Sequence, residues 1–166
     1  MKFLSAKTSC PDCWQPRCEP NAEAEQNAYD GEQAKPNTEK AQNAKNNNSA
    51  KVAKGKMTPE GAACENAAID SVGEANFESA GYRAHCKNCH MEGDLDIVTA
   101  DSVIECKKSA KALDLEQMNE MIIPIAQKCH PGKQIKVAVP KSELGKLTKK
   151  LSQPAYRGLG LSPMGV

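Results

Sequence analysis

Aromatic residues are scarce in this chain: one Trp, three Tyr and two Phe among 166 residues. Any core must therefore rest on Leu, Ile, Val, Met, Ala and Cys. No stretch approaches the run of about 18 apolar residues that a membrane-spanning helix needs, so no membrane segment is expected. An apolar signal-peptide core is also missing. Met1-Lys-Phe-Leu-Ser-Ala-Lys7 meets Lys7, Thr8 and Ser9 before such a core can form, which argues against general secretory export. The expected location is the cytoplasm, or the cytoplasm of a target cell reached through a specialised delivery system. There is no internal repeat, and the length suits one domain rather than two with a linker.

Net charge is near zero, at +1, but it is unevenly spread. Residues 58–127 carry 13 acidic and 5 basic side chains, and residues 128–166 carry 8 basic and one acidic. An acidic centre followed by a basic flank suits a site that binds a divalent cation beside a polyanion. Lys146, Lys149 and Lys150 are the candidate contacts to a nucleic-acid backbone. The alternative is a helix face that these lysines merely solvate.

Residues 19–56 are rich in Asn, Ala, Glu, Gln and Lys, including Asn46-Asn-Asn-Ser49, and almost devoid of large apolar side chains. Such a stretch buries too little surface to offset its ordering entropy. Residues 1–57 are thus expected to be a cysteine cluster, Cys10-Pro-Asp-Cys13-Trp-Gln-Pro-Arg-Cys18, and a largely disordered linker. Residues 58–166 are expected to be the folded domain.

Thr58 is placed to cap a helix, with Pro59 at its first position and Glu60 in its first turn. Its apolar stripe runs through Cys64, Ala67, Ala68 and Val72 and ends at Gly73 or Gly81. A short strand is expected over residues 82–85 and a loop over 86–92. Leu95, Ile97 and Thr99 alternate with Asp94, Asp96 and Val98, and residues 103–107 resume a β-branched run after Ala100-Asp101. That pattern predicts a hairpin. Asp114 and Gln117 have capping-box spacing ahead of a helix through Met118, Ile122, Ile125 and Cys129, which Pro124 should kink or shorten. A fourth strand over 134–140 and a last helix, capped by Ser142 and carrying Leu144, Leu147 and Leu151, complete an α/β domain with a small mixed sheet.

With Ala100-Asp101 as the connection, Asp96 falls opposite Glu105 and Asp94 opposite Lys107. Strand alternation then puts these four on one face and Leu95, Ile97, Ile104 and Cys106 on the other. Carboxylates within about 5 Å of one another across paired strands repel strongly. A hard cation such as Mg²⁺ or Mn²⁺, held by Asp96, Glu105 and Asp94, relieves that repulsion. Lys107 beside it is suited to orient water or stabilise a charged phosphate. The chemistry indicated is metal-dependent phosphodiester hydrolysis.

Gly81-Tyr-Arg83, Gly93-Asp-Leu-Asp-Ile-Val98 and Val103-Ile-Glu-Cys-Lys107 together resemble the PD-(D/E)XK nuclease superfamily. The resemblance spans roughly residues 58–140. It implies a restriction-endonuclease-like core of helix, three strands, helix and strand, here with an extra C-terminal helix and an irregular N-terminal region. It also implies metal binding by Asp96 and Glu105, a catalytic lysine at Lys107, a supporting Gln117 and, more weakly, a further carboxylate at Glu65. DNA is favoured over RNA because most of the superfamily acts on DNA. The architecture is similar to the tips of polymorphic bacterial toxins used in interbacterial competition, whose partner is a cognate immunity protein. A housekeeping repair or recombination nuclease is the alternative.

The eight cysteines permit other chemistry. Cys86-Lys-Asn-Cys89-His90 fits c-type haem attachment, with Met118 or Met121 as distal ligand, which would make an electron carrier. Cys86 and Cys89 also have zinc-knuckle spacing that Cys129 and His130, or His85, would complete as structural Zn²⁺ or a disulfide.

Overall fold

The computed structural model describes residues 14–16, 30–86 and 91–166. Cys10, Cys13, Cys18, Cys89 and His90, and the side chain of Cys86, lie outside that description, and the haem and N-terminal cluster readings lie there with them.

Residues expected to be linker instead form helix α1 (Asn37–Ala53). It buries Lys40, Ala41, Ala44 and Asn48, and the Asn48 side-chain amide donates to Asn66 Oδ1 at 3.0 Å. Small alanines allow close approach, so the helix gains its stability from tertiary packing that composition does not register. Helix α2 (Pro59–Val72) follows, and Thr58 Oγ1 accepts the Gly61 amide at 3.1 Å. The helix stops at Gly73, where φ is +78°. The boundary expected at residue 58 is thus the start of a helix and not the start of the folded region, because α1 and α2 share one apolar cluster.

Among the described residues, six strands lie in sequence order across one mixed sheet: β1 (Trp14–Pro16), β2 (Phe77–Cys86), β3 (Met91–Thr99), β4 (Ser102–Cys106), β5 (Gln134–Val139) and β6 (Leu161–Gly165). The first four pair antiparallel, while β4–β5 and β5–β6 are parallel. Parallel neighbours need crossovers. Helix α3, continuous through Leu115–Gln117, Met118–Ile122 and Ile123–Cys129, joins β4 to β5. Helices α4 (Leu144–Leu151) and α5 (Pro154–Arg157) join β5 to β6. The fold is mixed α/β.

The expected loop over 86–92 shrinks, since β2 reaches Cys86 and β3 starts at Met91. Pro124 does not end its helix. The turn Met118–Ile122 before it is a π-helix, whose wider spacing absorbs the missing amide donor. Ser142 does not cap α4, which is entered through a 3₁₀ turn at Lys141–Glu143 with no side-chain cap. Strand β6 was not expected, because Pro163 and Gly165 weaken a strand pattern. It lies at the sheet edge, where proline is tolerated.

Each face of the sheet carries its own core. Ala41, Ala44, Cys64, Ala68 and Ile69 of α1 and α2 pack on Phe77, Ile97, Ile104 and Ala138. On the other face, Met118, Ile122 and Ile125 of α3, Leu147 and Leu151 of α4 and Tyr156 of α5 pack on Tyr82, Leu95, Val103 and Val137. This corrects the expected faces of the hairpin. Leu95 and Ile97 were expected together, but Leu95 belongs to the α3 core and Ile97 to the α2 core. Tyr82 and Ala80 divide in the same way. Residues two apart on a regular strand share a face. The alternation is therefore reset in both strands, at Gly81 (φ +66°) and at Asp96.

Candidate functional site

The hairpin keeps the expected register, with Ile97 opposite Ile104 and Val98 opposite Val103, and pairing stops there. Beyond it, β3 stays with β2 as far as Met91, while β4 stays with β5 as far as Cys106. The sheet splits at this point. Asp96 stands in the split, and its Oδ2 accepts the Cys106 amide at 2.7 Å.

Asp96 and Glu105 lie close enough to act on each other's protonation. Burial, followed by the negative charge of Asp96, pushes Glu105 up to about 8, against the opposing pull of Lys107. Burial also raises Asp96, against the Cys106 amide and Lys107, which favour its charged form. Glu105 therefore keeps its proton near neutral pH. Lys107 Nζ lies 2.9 Å from Glu105 Oε1 and donates to Gln117 Oε1 at 2.7 Å. Asp114 caps α3 by accepting the Gln117 amide at 2.7 Å, which fixes the turn that carries Gln117. Only half of the expected capping box forms, because the Gln117 side chain is spent on Lys107.

Glu65 is buried on α2, near enough that Asp96 helps to raise it to about 7, after the larger effect of burial. Asp94 does not join the cluster. It is largely exposed, opposite Arg83 in the β2–β3 ladder, with Arg83 Nε at 4.0 Å. The pleat reset at Asp96 and the opening of the sheet remove Asp94 from the expected place opposite Lys107. The structure thus joins Asp96, Glu105, Lys107 and Gln117 and leaves out Asp94.

Among the described residues, no three His, Cys, Asp or Glu side chains converge into a ready cation cage. The donors present nevertheless suit Mg²⁺ or Mn²⁺, which take one or two carboxylates and fill the remaining positions with water or phosphate. Glu105 Oε2 is buried without a hydrogen-bond partner, an unsatisfied oxygen beside the Asp96 carboxylate. A cation can take the place of the proton that Glu105 holds.

Cys129 and His130 end α3 beside Tyr82, whose ring meets His130 edge-on at 4.5 Å. Cys129 is raised by burial and hydrogen-bonds to Tyr82, and His130 is lowered by burial. Whether Cys86 and Cys89 join them in a zinc site falls outside the described side chains. Met118 is wholly buried in the α3 core, and Met121 packs over Gly93.

The three candidate backbone-binding lysines separate. Lys146 is exposed and pairs with Glu143, and Lys149 is exposed. Lys150 is committed elsewhere. Its Nζ donates to Ala110 O at 3.0 Å and Leu113 O at 2.8 Å and sits 5.5 Å above the Tyr156 ring. Glu143 accepts the Ala110 amide at 3.1 Å, so α4 staples the loop between Lys107 and α3. Sequence reasoning missed this staple, since nothing local marks a lysine whose partners lie some 40 positions earlier. It also treated Cys64 as one apolar stripe residue, although its thiol donates to Lys107 O and Ala138 O and Cys106 packs against its cluster.

Compared with known proteins, the chain matches no family model, no curated protein and no solved structure.

Proposed function

We propose that this chain is a divalent-metal-dependent nuclease of the PD-(D/E)XK type that hydrolyses phosphodiester bonds, with DNA the favoured substrate. The observation that carries the reading is Lys107, held between Glu105 and Gln117 next to Asp96 at the opening between β3 and β4. The order α2, β2–β4, α3, β5 also agrees with the core that the hairpin motif implies.

Asp96 and Glu105 would hold the cation. When bound, it would supply charge neutralisation at the scissile phosphate and acidify water. Lys107, oriented by Gln117, places an ammonium where negative charge develops on the phosphate. Burial of Glu105 keeps bulk water from screening that charge. Lys146 and Lys149 offer exposed cations to the polyanion.

Purified protein should cut plasmid DNA with Mg²⁺ or Mn²⁺ and leave it intact with chelator, and parallel incubation with tRNA decides between DNA and RNA. Absence of cleavage of both substrates with both metals would overturn the reading, as would cleavage that survives Asp96→Asn. The proposed setting is competition between bacteria, with an immunity protein as partner. Expression inside a bacterium should then arrest growth for the wild type but not for Asp96→Asn. Harmless expression of an active enzyme would favour a repair or recombination role.

A further inference from the structure

We propose that Cys64 and Cys106 form a redox modification site, in which a hydroperoxide oxidises the two thiols to a disulfide that ties α2 to β4 and disables the neighbouring acids. The loss of activity rests on the nuclease reading. The disulfide itself does not.

Cys64 is buried on α2, with Sγ 3.5 Å from Lys107 O and 3.6 Å from Ala138 O. Cys106 follows Glu105 on β4 and packs, across the helix–sheet interface, against the apolar cluster that contains Cys64, and each thiol acts on the other's protonation. Cys129, the other cysteine with a described side chain, belongs to the opposite face. A cavity of about 560 Å³ has Cys64 in its wall and gives access to that residue. Glu60, Ala63 and Lys108 line the same cavity and are exposed, so it opens to solvent and admits a small peroxide. Lys108 also brings a positive charge to this cavity, which favours departure of a charged peroxide oxygen.

The chemistry balances with hydrogen peroxide as oxidant. The Cys64 sulfur attacks one peroxide oxygen, an S–O bond forms, the O–O bond breaks, and the leaving oxygen takes the thiol proton to depart as water. The Cys106 sulfur then attacks the sulfenic sulfur. The S–S bond forms, the S–O bond breaks, and the hydroxyl leaves with the second thiol proton as water. Two thiols are oxidised, and one peroxide is reduced to two waters.

An S–S bond of about 2.05 Å is much shorter than any thiol–thiol contact, so closing it draws Cys106 toward α2. The Cys106 amide is the donor that holds Asp96, and its chain neighbours are Glu105 and Lys107. Moving Cys106 therefore disturbs all three.

The test uses the full chain, reduced, freed of reductant and treated with hydrogen peroxide. Thiol-blocked digests are mapped by mass spectrometry, and plasmid cleavage with Mg²⁺ is followed in parallel. A peptide joining Cys64 to Cys106 should appear, cleavage should fall by about tenfold or more, and a dithiol should reverse both. Cys64→Ala should lack that peptide and keep a near-unit ratio of activities with and without peroxide. Cys106→Ala should instead trap a sulfenic acid on Cys64 that a 1,3-dione probe labels. Absence of the joined peptide overturns the proposal, as does pairing of Cys64 with another cysteine or equal peroxide sensitivity in Cys64→Ala. A reduced protein with no cleavage sinks the nuclease reading alone, because the peptide map still decides the disulfide.

Discussion

The Asp96 carboxylate of β3 accepts the Cys106 backbone amide of β4 at 2.7 Å, at the point where the two strands stop pairing. A side chain thus satisfies a donor that the sheet ladder leaves open, and the same contact anchors the acid beside Glu105 and Lys107. Asp96 is a structural acceptor here and, in the proposed function, would separately serve as a charged ligand.

Asp96→Asn and Asp96→Ala should therefore differ. Asparagine keeps an acceptor for the Cys106 amide and removes only the charge, so cleavage should be lost with little change in melting temperature. Alanine leaves a part-buried donor unpaired and should cost a further ~1–3 kcal/mol, read by denaturant titration. Equal stability of the two variants would show that the contact is structurally idle.

Glu105 links stability to pH. Burial and Asp96 raise it from 4.5 to about 8, so the folded state retains a proton that the unfolded chain releases. Without metal, stability should be greatest near pH 4.5 and fall as pH rises toward 8, by about 1.4 kcal/mol for each unit of pKa difference at the limit. Glu105→Gln should flatten this decline and abolish cleavage. Added Mg²⁺ should stabilise the wild type more at pH 8 than at pH 6, since the cation competes with the proton. A metal effect that does not grow with pH would place the cation elsewhere.

Lys107→Ala should reduce turnover by about 100-fold or more, and Gln117→Ala should have a smaller effect in the same direction. The ratio of the two, measured at saturating substrate, reports how much of the work of Lys107 depends on its orientation. A Gln117→Ala enzyme with full turnover would show that the 2.7 Å contact does not position the ammonium.

The lysines of α4 should separate by assay. Lys150→Ala removes two hydrogen bonds to the loop carbonyls and should destabilise the protein by ~1–3 kcal/mol. The pair Lys146→Ala and Lys149→Ala should leave melting unchanged, weaken nucleic-acid binding and lower its salt slope by about one unit per lost contact. An unchanged slope would make α4 a solvated cover over the core.

Gly93→Ala should lower the melting temperature. An added Cβ would lie 2.5 Å from Met121 Cγ and Sδ and 2.7 Å from Ile125 Cδ1. Methionine is flexible enough to yield, so the cost should be about 1 kcal/mol, and Met121→Ala in the same chain should recover part of it. No recovery would place the strain on Ile125.

Much of the framework was legible in the chain. The Thr58 cap, the register through Ile97 and Val98 and the capping of α3 by Asp114 all depend on neighbours in sequence, so local pattern carries them. Helix α1, strand β6 and the tether at Lys150 were not legible, because each is stabilised by groups remote in sequence. The misplaced Asp94 has another cause. Uniform alternation was assumed along β3, and the reset at Gly81 and Asp96 breaks it.

By itself, the sequence determined how the hairpin is registered and which residues are candidates for the proposed chemistry, since turn position and residue order set both. Tertiary structure decided which acid is left out: β3 leaves β4 beyond Ile97 while β4 stays with β5, and Asp94 remains paired with β2. Each face of that sheet is packed by its own helices, α1 and α2 on one side and α3 and α4 on the other. No local pattern encodes that packing, because it is a sum of energies over groups far apart in the chain.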